Sequence, residues 1–304
     1  MSAVTPADVL KQVAAAVPRE CLDNIIVVGS LAAGYELLDR NESFQVRTKD
    51  IDCVLSPRRD AAVTGEAIAQ KLILEGWRHR TEGEFGEAGS LQTPDEKLPA
   101  VRLYPPNTND WFIELLAEPD AGAQSGKSWM RVMVGGGHYG LPSFQYLSLA
   151  THRPVKTKLG ISCARSEMMA LALLLEHPQI SPETMSGEIE GRKFKRSNKD
   201  LGRVLAIAFL SLERDENAML EWAEMWISAL KSRFPEDWRQ LRVNVGSGFR
   251  ELLSSPDDLE EALHTCNAGL LASSPVTQEQ LRIAGERIIQ DVIMQVETTG
   301  SGEG

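Results

Sequence analysis

The stretch Ile25-Ile26-Val27-Val28-Gly29-Ser30, followed by Lys49-Asp50-Ile51-Asp52-Cys53-Val54-Leu55, decides how this chain reads. A continuous apolar run ending at glycine predicts a buried strand. The small and aliphatic residues from Ser30 to Leu38 predict a helix packed against it. A strand that ends in Gly-Ser and opens a helix presents unpaired backbone N–H groups and the positive helix end, with no Cβ at Gly29 to block close approach. That is a seat for phosphate. The second run predicts a strand stopped by Pro57. Asp50 and Asp52 lie two apart on it, so both carboxylates face one side. Two anions held that close repel unless a cation sits between them, and oxygen ligands of this kind suit Mg²⁺ or Mn²⁺.

Outward from this pair, Thr5-Pro6 with Asp8 announces a first helix, its apolar residues being Leu10, Val13, Ala14 and Val17. Residues 60–75 predict an amphipathic helix with Val63, Ala67, Ile68, Leu72 and Ile73 on its apolar face. Further strands are expected at Ala100–Tyr104, Trp111–Leu116 and Arg131–Val134, with loops at 83–97, 105–110 and 119–127. Beyond residue 150, helical periodicity marks 166–176, 199–212, 216–230 and 275–296. The expected organisation is an α/β domain over 1–155, a helical domain over 156–296, and a disordered tail over 297–304, which lacks packing residues.

Composition narrows the class. The chain has 304 residues, 42% hydrophobic and 25% charged, in the range of folded globular proteins. Its four cysteines form no C-x-x-C pair, which gives no support to a zinc finger or a disulfide scaffold. No apolar run approaches the roughly 20 residues that span a bilayer, and residues 1–20 lack a signal pattern, so a cytoplasmic protein without a membrane partner is expected. A net charge of −11 argues against whole-surface attraction to nucleic acid. The run from Arg192 to Arg203 stands out against that background, with six basic side chains and one acid. With Arg153, Lys156, Lys158 and Arg165 it suits a triphosphate and an RNA backbone.

Glu114 is an isolated acid in the apolar run Trp111-Phe112-Ile113-Glu114-Leu115-Leu116. A buried, unpaired carboxylate is costly, so it is expected to meet a metal, an arginine or a strand end open to water. Converging with Asp50 and Asp52, it would complete a trio able to hold two metals that align a hydroxyl with a nucleotide α-phosphate. An ion pair is the alternative. Glu118 reads as a loop residue, and the five histidines lack metal-ligand spacing. Gly135-Gly136-Gly137-His138 reads as a flexible turn, and Trp222 with Trp226 as a core pair.

The apolar strand, Gly29-Ser30, helix and Asp50-x-Asp52 resemble the nucleotidyltransferase (polymerase-β-like) superfamily. Arg192-Lys193-Phe194-Lys195-Arg196-Ser197-Asn198-Lys199-Asp200-Leu201 is similar to the basic segment leading to Lys-Asp-Leu in AbiE-type toxins of type IV toxin–antitoxin systems. Arg47 with Asp50 and Asp52 matches that family's Arg/Lys-x-x-Asp-x-Asp block. The resemblance covers roughly residues 25–55 and 190–210. It implies an α/β (α+β) nucleotidyltransferase core with a mixed sheet and a helical C-terminal region. It also implies a metal at Asp50 and Asp52, nucleotide binding at Gly29, Ser30, Arg47 and Lys49, and nucleotide or catalytic roles for Lys199 and Asp200. The expected reaction is transfer of a nucleoside monophosphate from an NTP, with RNA or tRNA as leading acceptor and an antitoxin as partner. Small-molecule or protein-hydroxyl acceptors, and a catalytically silent scaffold, are the alternatives. Two departures stand: 19 residues separate Ser30 from Asp50, which places an insertion around 41–46, and residues 166–176 lack the family's frequent lysine, leaving Lys156 or Lys158 as substitutes.

Overall fold

In the computed structural model the described residues are 2–38, 44–82, 86–120, 126–180, 183–185 and 187–299. Parts of the expected insertion (41–43), of two loops (83–85 and 121–125) and of the tail (300–304) lie outside them. The elements in order are β1 (Ser2–Val4), α1 (Pro6–Ala16), β2 (Ile25–Val27), α2 (Gly29–Leu38), β3 (Val46–Thr48), β4 (Asp50–Leu55), α3 (Arg58–Leu74), β5 (Arg78–His79), β6 (Arg102–Tyr104) and β7 (Phe112–Ala117). The hairpin β8 (Lys127–Val134) and β9 (Gly137–Phe144) follows, then α4 (Leu147–Ala150), β10 (Val155–Lys156) and β11 (Ser162–Cys163). Thereafter the chain is helical: α5 (Ser166–Ile180), α6 (Arg196–Arg214), α7 (Trp222–Arg233), α8 (Trp238–Asn244), α9 (Ser247–Ser254), α10 (Pro256–Asn267) and α11 (Gln278–Ile288). A π-helical turn at Ile289–Ile293 joins α11 to α12 (Met294–Thr298), so Glu297 and Thr298, expected in the disordered tail, instead close a helix, held where Glu297 pairs with Arg250 at 2.7 Å. Among the described residues, no helix is long and apolar enough to cross a membrane.

The fold is mixed α/β, with a seven-stranded mixed sheet and a helical C-terminal region. Contacts divide it into two compact units, one made of residues 1–32 and 48–165, the other of 33–47 and 166–304. In the first, the strand order is β10-β11-β2-β4-β7-β6-β5. β2 runs antiparallel to β4, while β4 and β7 are parallel. β2 and β7 are buried on both sides along their whole length, from Ile25 to Val27 and from Phe112 to Ala117. That is why they read as continuous apolar runs. α3 lays Ala61, Thr64, Gly65, Ile68, Ala69 and Leu72 on this unit, a face of mostly small residues. Val63, expected on the apolar face, instead lies 73% exposed.

The Gly135-Gly136 turn joins β8 to β9 with φ of +58° and +83°, the two positive values that tight hairpin turns require. The second unit is centred on α6, whose Val204, Leu205, Ala206, Ile207 and Ala208 are all buried. α6 packs on α5, α10 and α11. Trp222 and Trp226 are both core, their ring centroids 6.1 Å apart.

Candidate active site

β2 ends at Val27, and the chain turns into α2 through Gly29 at φ +77°, a conformation that L side chains rarely adopt. The turn is fastened by Val28, whose N–H donates to the Asp52 carbonyl at 2.9 Å. Consequently the Asp52 carboxylate lies against Gly29: a Cβ there would meet Asp52 Oδ2 at 3.3 Å. Gly29 and Ser30 are half-buried, so the N-terminal amides of α2 and the acid share one accessible corner.

Along β4 exposure alternates, with Asp50 exposed, Ile51 buried, Asp52 half-buried and Cys53 buried. The two acids therefore share a sheet face. Thr48 Oγ1 donates toward Asp50, 2.9 Å from Oδ1 and 3.1 Å from its carbonyl oxygen. Lys49 is exposed, and its carbonyl accepts from the Phe112 N–H. On the parallel neighbour β7, Glu114 stands in register with Asp52. It is 9% exposed and takes a bidentate pair from Arg102 of β6, Nε to Oε2 at 2.9 Å and Nη2 to Oε1 at 3.0 Å. Of the expected partners for this acid, the structure displays the arginine.

Among the described residues, no three His, Cys, Asp or Glu side chains converge as a ready-made metal cage. The donor chemistry at Asp50 and Asp52 nonetheless fits a hard divalent cation, which takes one or two carboxylates and completes its shell with water and phosphate oxygens. The absence of a side chain at Gly29 keeps the approach to Asp52 open.

Arg47, Lys199 and Asp200 belong to the helical unit. Arg47 pairs with Glu190 at 2.8 Å, both half-exposed. Lys199 sits in the first turn of α6, and Asp200, 7% exposed, faces Arg196 at 3.9 Å. Glu176 of α5 joins this cluster. Burial, reinforced by Asp200 and partly offset by Arg196, pushes its carboxyl up to about 7. The basic run is partly neutralised within its own unit: Lys195 donates to Asp258 at 2.7 Å, and Asn198 donates to Asp258 and Glu261 at 2.8 Å each. Lys156 of the first unit pairs with Asp23.

The sequence reading passes over Arg102 and Glu176. Nothing local distinguishes Arg102, because the β6–β7 register that sets it beside Glu114 is a long-range pairing. Glu118 lies just past the end of β7, outside any helix or strand as expected of a loop residue, yet it is buried there and accepts from Ser56 Oγ at 2.7 Å and Thr151 Oγ1 at 2.8 Å. No protein-family model matches this chain, and no curated protein matches it either.

Proposed function

We propose that the protein is a divalent-cation-dependent nucleotidyltransferase that moves a nucleoside monophosphate from an NTP to an acceptor hydroxyl. The observation that carries this reading is the contact between Asp52 and the Gly29 corner, which joins a carboxylate pair to the N-terminus of α2. Backbone amides at Gly29 and Ser30, with the Ser30 hydroxyl, receive the β- and γ-phosphates. Asp50 and Asp52 hold Mg²⁺ or Mn²⁺, which when bound supplies positive charge to the α-phosphate and the pyrophosphate leaving group. The acceptor oxygen forms a new ester bond to the α-phosphorus as the bond to pyrophosphate breaks, and the hydroxyl proton passes to a base, Asp200 by the resemblance or else solvent water. The protein acts through positioning and charge. By the resemblance, Arg47 and Lys49 attend the nucleotide, Lys199 neutralises charge, and Asp200 orients or deprotonates the acceptor.

RNA is the acceptor this reading favours, in a toxin-like role with a neutralising protein partner. Arg192 and Lys193, exposed on an otherwise acidic chain, support it. The test is incubation with each labelled NTP, divalent cation, total RNA and cell extract, comparing the intact chain with Asp52→Ala. Label in an RNA band that disappears with Asp52→Ala is the expected result. Label on protein or on a small molecule would move the acceptor class. No label anywhere, with identical melting of both proteins in cation plus NTP, would overturn the reading in favour of a silent scaffold.

A further inference from the structure

Three charged residues form a transverse row on one face of the sheet. Asp52 on β4 is in register with Glu114 on β7, and Glu114 is in register with Arg102 on β6. Adjacent strands lie about 4.8 Å apart, so the middle side chain has a neighbour of opposite sign on one flank and of like sign on the other. Glu114 is turned to the arginine, and both oxygens are occupied by the guanidinium fork. Its side chain is 12% exposed and that of Arg102 21%, so the pair is largely withdrawn from water and correspondingly strong. Without Arg102, three carboxylates on one face would repel one another in a poorly solvated setting.

We infer that Arg102 is a positioning residue that holds Glu114 away from the acid pair and yields it when a divalent cation occupies Asp50 and Asp52. The inference rests on the proposed cation site and adds to it a device: one carboxylate exchanges its partner, guanidinium for metal, by a side-chain rotation about a fixed strand position. The exchange lowers the charge imbalance of the row. Before loading, Arg102 offsets one of three acids; after loading, the cation offsets the acids and Arg102 is released with its positive charge toward the incoming phosphates. Glu114 in this arrangement is a reserve ligand, which accounts for a third acid in register with Asp52 without a three-carboxylate cage among the described residues.

The experiment is a Mn²⁺ titration of the full chain followed by electron paramagnetic resonance, without nucleotide. Arg102→Met keeps the apolar stem and removes the fork; it should bind Mn²⁺ about tenfold more tightly than the unaltered chain, the scale on which groups around a metal tune its affinity. Arg102→Lys, which restores the charge, should return the affinity toward the original. Adding Glu114→Gln to Arg102→Met should abolish the gain. An unchanged affinity in Arg102→Met, or a gain that survives Glu114→Gln, overturns the inference. Should Arg102→Met fail to fold, Arg102→Gln is read by the same criterion. The two levels of failure separate through Asp52→Asn. If it loses Mn²⁺ while Arg102→Met is unchanged, only the exchange is wrong; if it binds Mn²⁺ as the unaltered chain does, the cation site itself falls and the exchange with it.

Discussion

At position 29 a side chain is disfavoured on two separate grounds. The backbone is left-handed, and the space a Cβ would take ends 3.3 Å from Asp52 Oδ2. Gly29→Ala is therefore expected to cost about 1–2 kcal/mol from the backbone alone, measured by urea unfolding. It should also weaken the NTP-induced rise in melting temperature, because the new methyl group sits where phosphate would approach. A destabilised variant that kept the full nucleotide shift would separate Gly29 from the site. The residues whose roles depend on one strand and its turn, Gly29, Ser30, Asp50 and Asp52, were legible because period-two alternation fixes which side chains share a face. Glu114 was legible only as an anomaly. That it meets Arg102 follows from a register between strands separated by an intervening loop, which no local pattern encodes.

At the scale of elements, the packing of α5 on α6 half-buries Glu176 near Asp200 and creates a pH dependence with a defined sign. Burial raises the folded-state carboxyl from 4.5 to about 7, with Asp200 adding to the rise and Arg196 opposing it. His177 beside it is shifted down, chiefly by burial, against the pull of Glu251 and Asp200. Because the folded chain holds the Glu176 proton to higher pH than the unfolded chain, the stability from this group is complete below about pH 4.5 and is lost as pH rises through 7. Glu176→Gln should remove that dependence and raise stability at pH 8 by on the order of 2–3 kcal/mol, measured by denaturant unfolding across pH 5–8. An equal slope in both proteins would refute it. Other elements show what local signals do and do not carry. α10 begins at Ser255-Pro256, with Ser255 Oγ accepting from the Asp258 N–H, a start signal that is local to the sequence. Gly137 and His138, expected within the turn, instead open β9, which carries Gly137, Gly140 and Pro142 and is made a strand by pairing along β8 from Lys127 to Val134.

For the whole molecule, the division into two units does not follow the chain. The helical unit takes residues 33–47 from the N-terminal half, and that segment is bound into it at several points. Glu36 Oε2 accepts from the Ser166 N–H and hydroxyl, both at 2.7 Å, at the start of α5. Arg214 Nη1 donates to the Glu36 carbonyl, the Gln45 N–H to Ser273 Oγ, and the Arg47 N–H to the Gly269 carbonyl. A fragment starting at Ser166 loses all of these and leaves a helix start without its cap. It should be less stable than the same unit in the full chain by about 3 kcal/mol, roughly 10 °C in melting temperature, as read by circular dichroism. A fragment that melted at the full-chain temperature would show the 33–47 segment to be dispensable.

The sequence by itself determined the alternation of strand and helix in the first half, the helical second half, the placing of two acids on one strand face, and a glycine turn at the end of an apolar strand. Those follow from periodicity and from the steric freedom of glycine, which act over a few residues. Only the tertiary structure decided the order of strands, the closeness of Asp52 to Gly29, the pairing of Glu114 with Arg102, the burial of Glu118 and half-burial of Glu176, and the recruitment of residues 33–47 into the helical unit. Each of these depends on contacts between segments far apart in the chain, where the energy resides in burial and pairing and no local spacing records the partner.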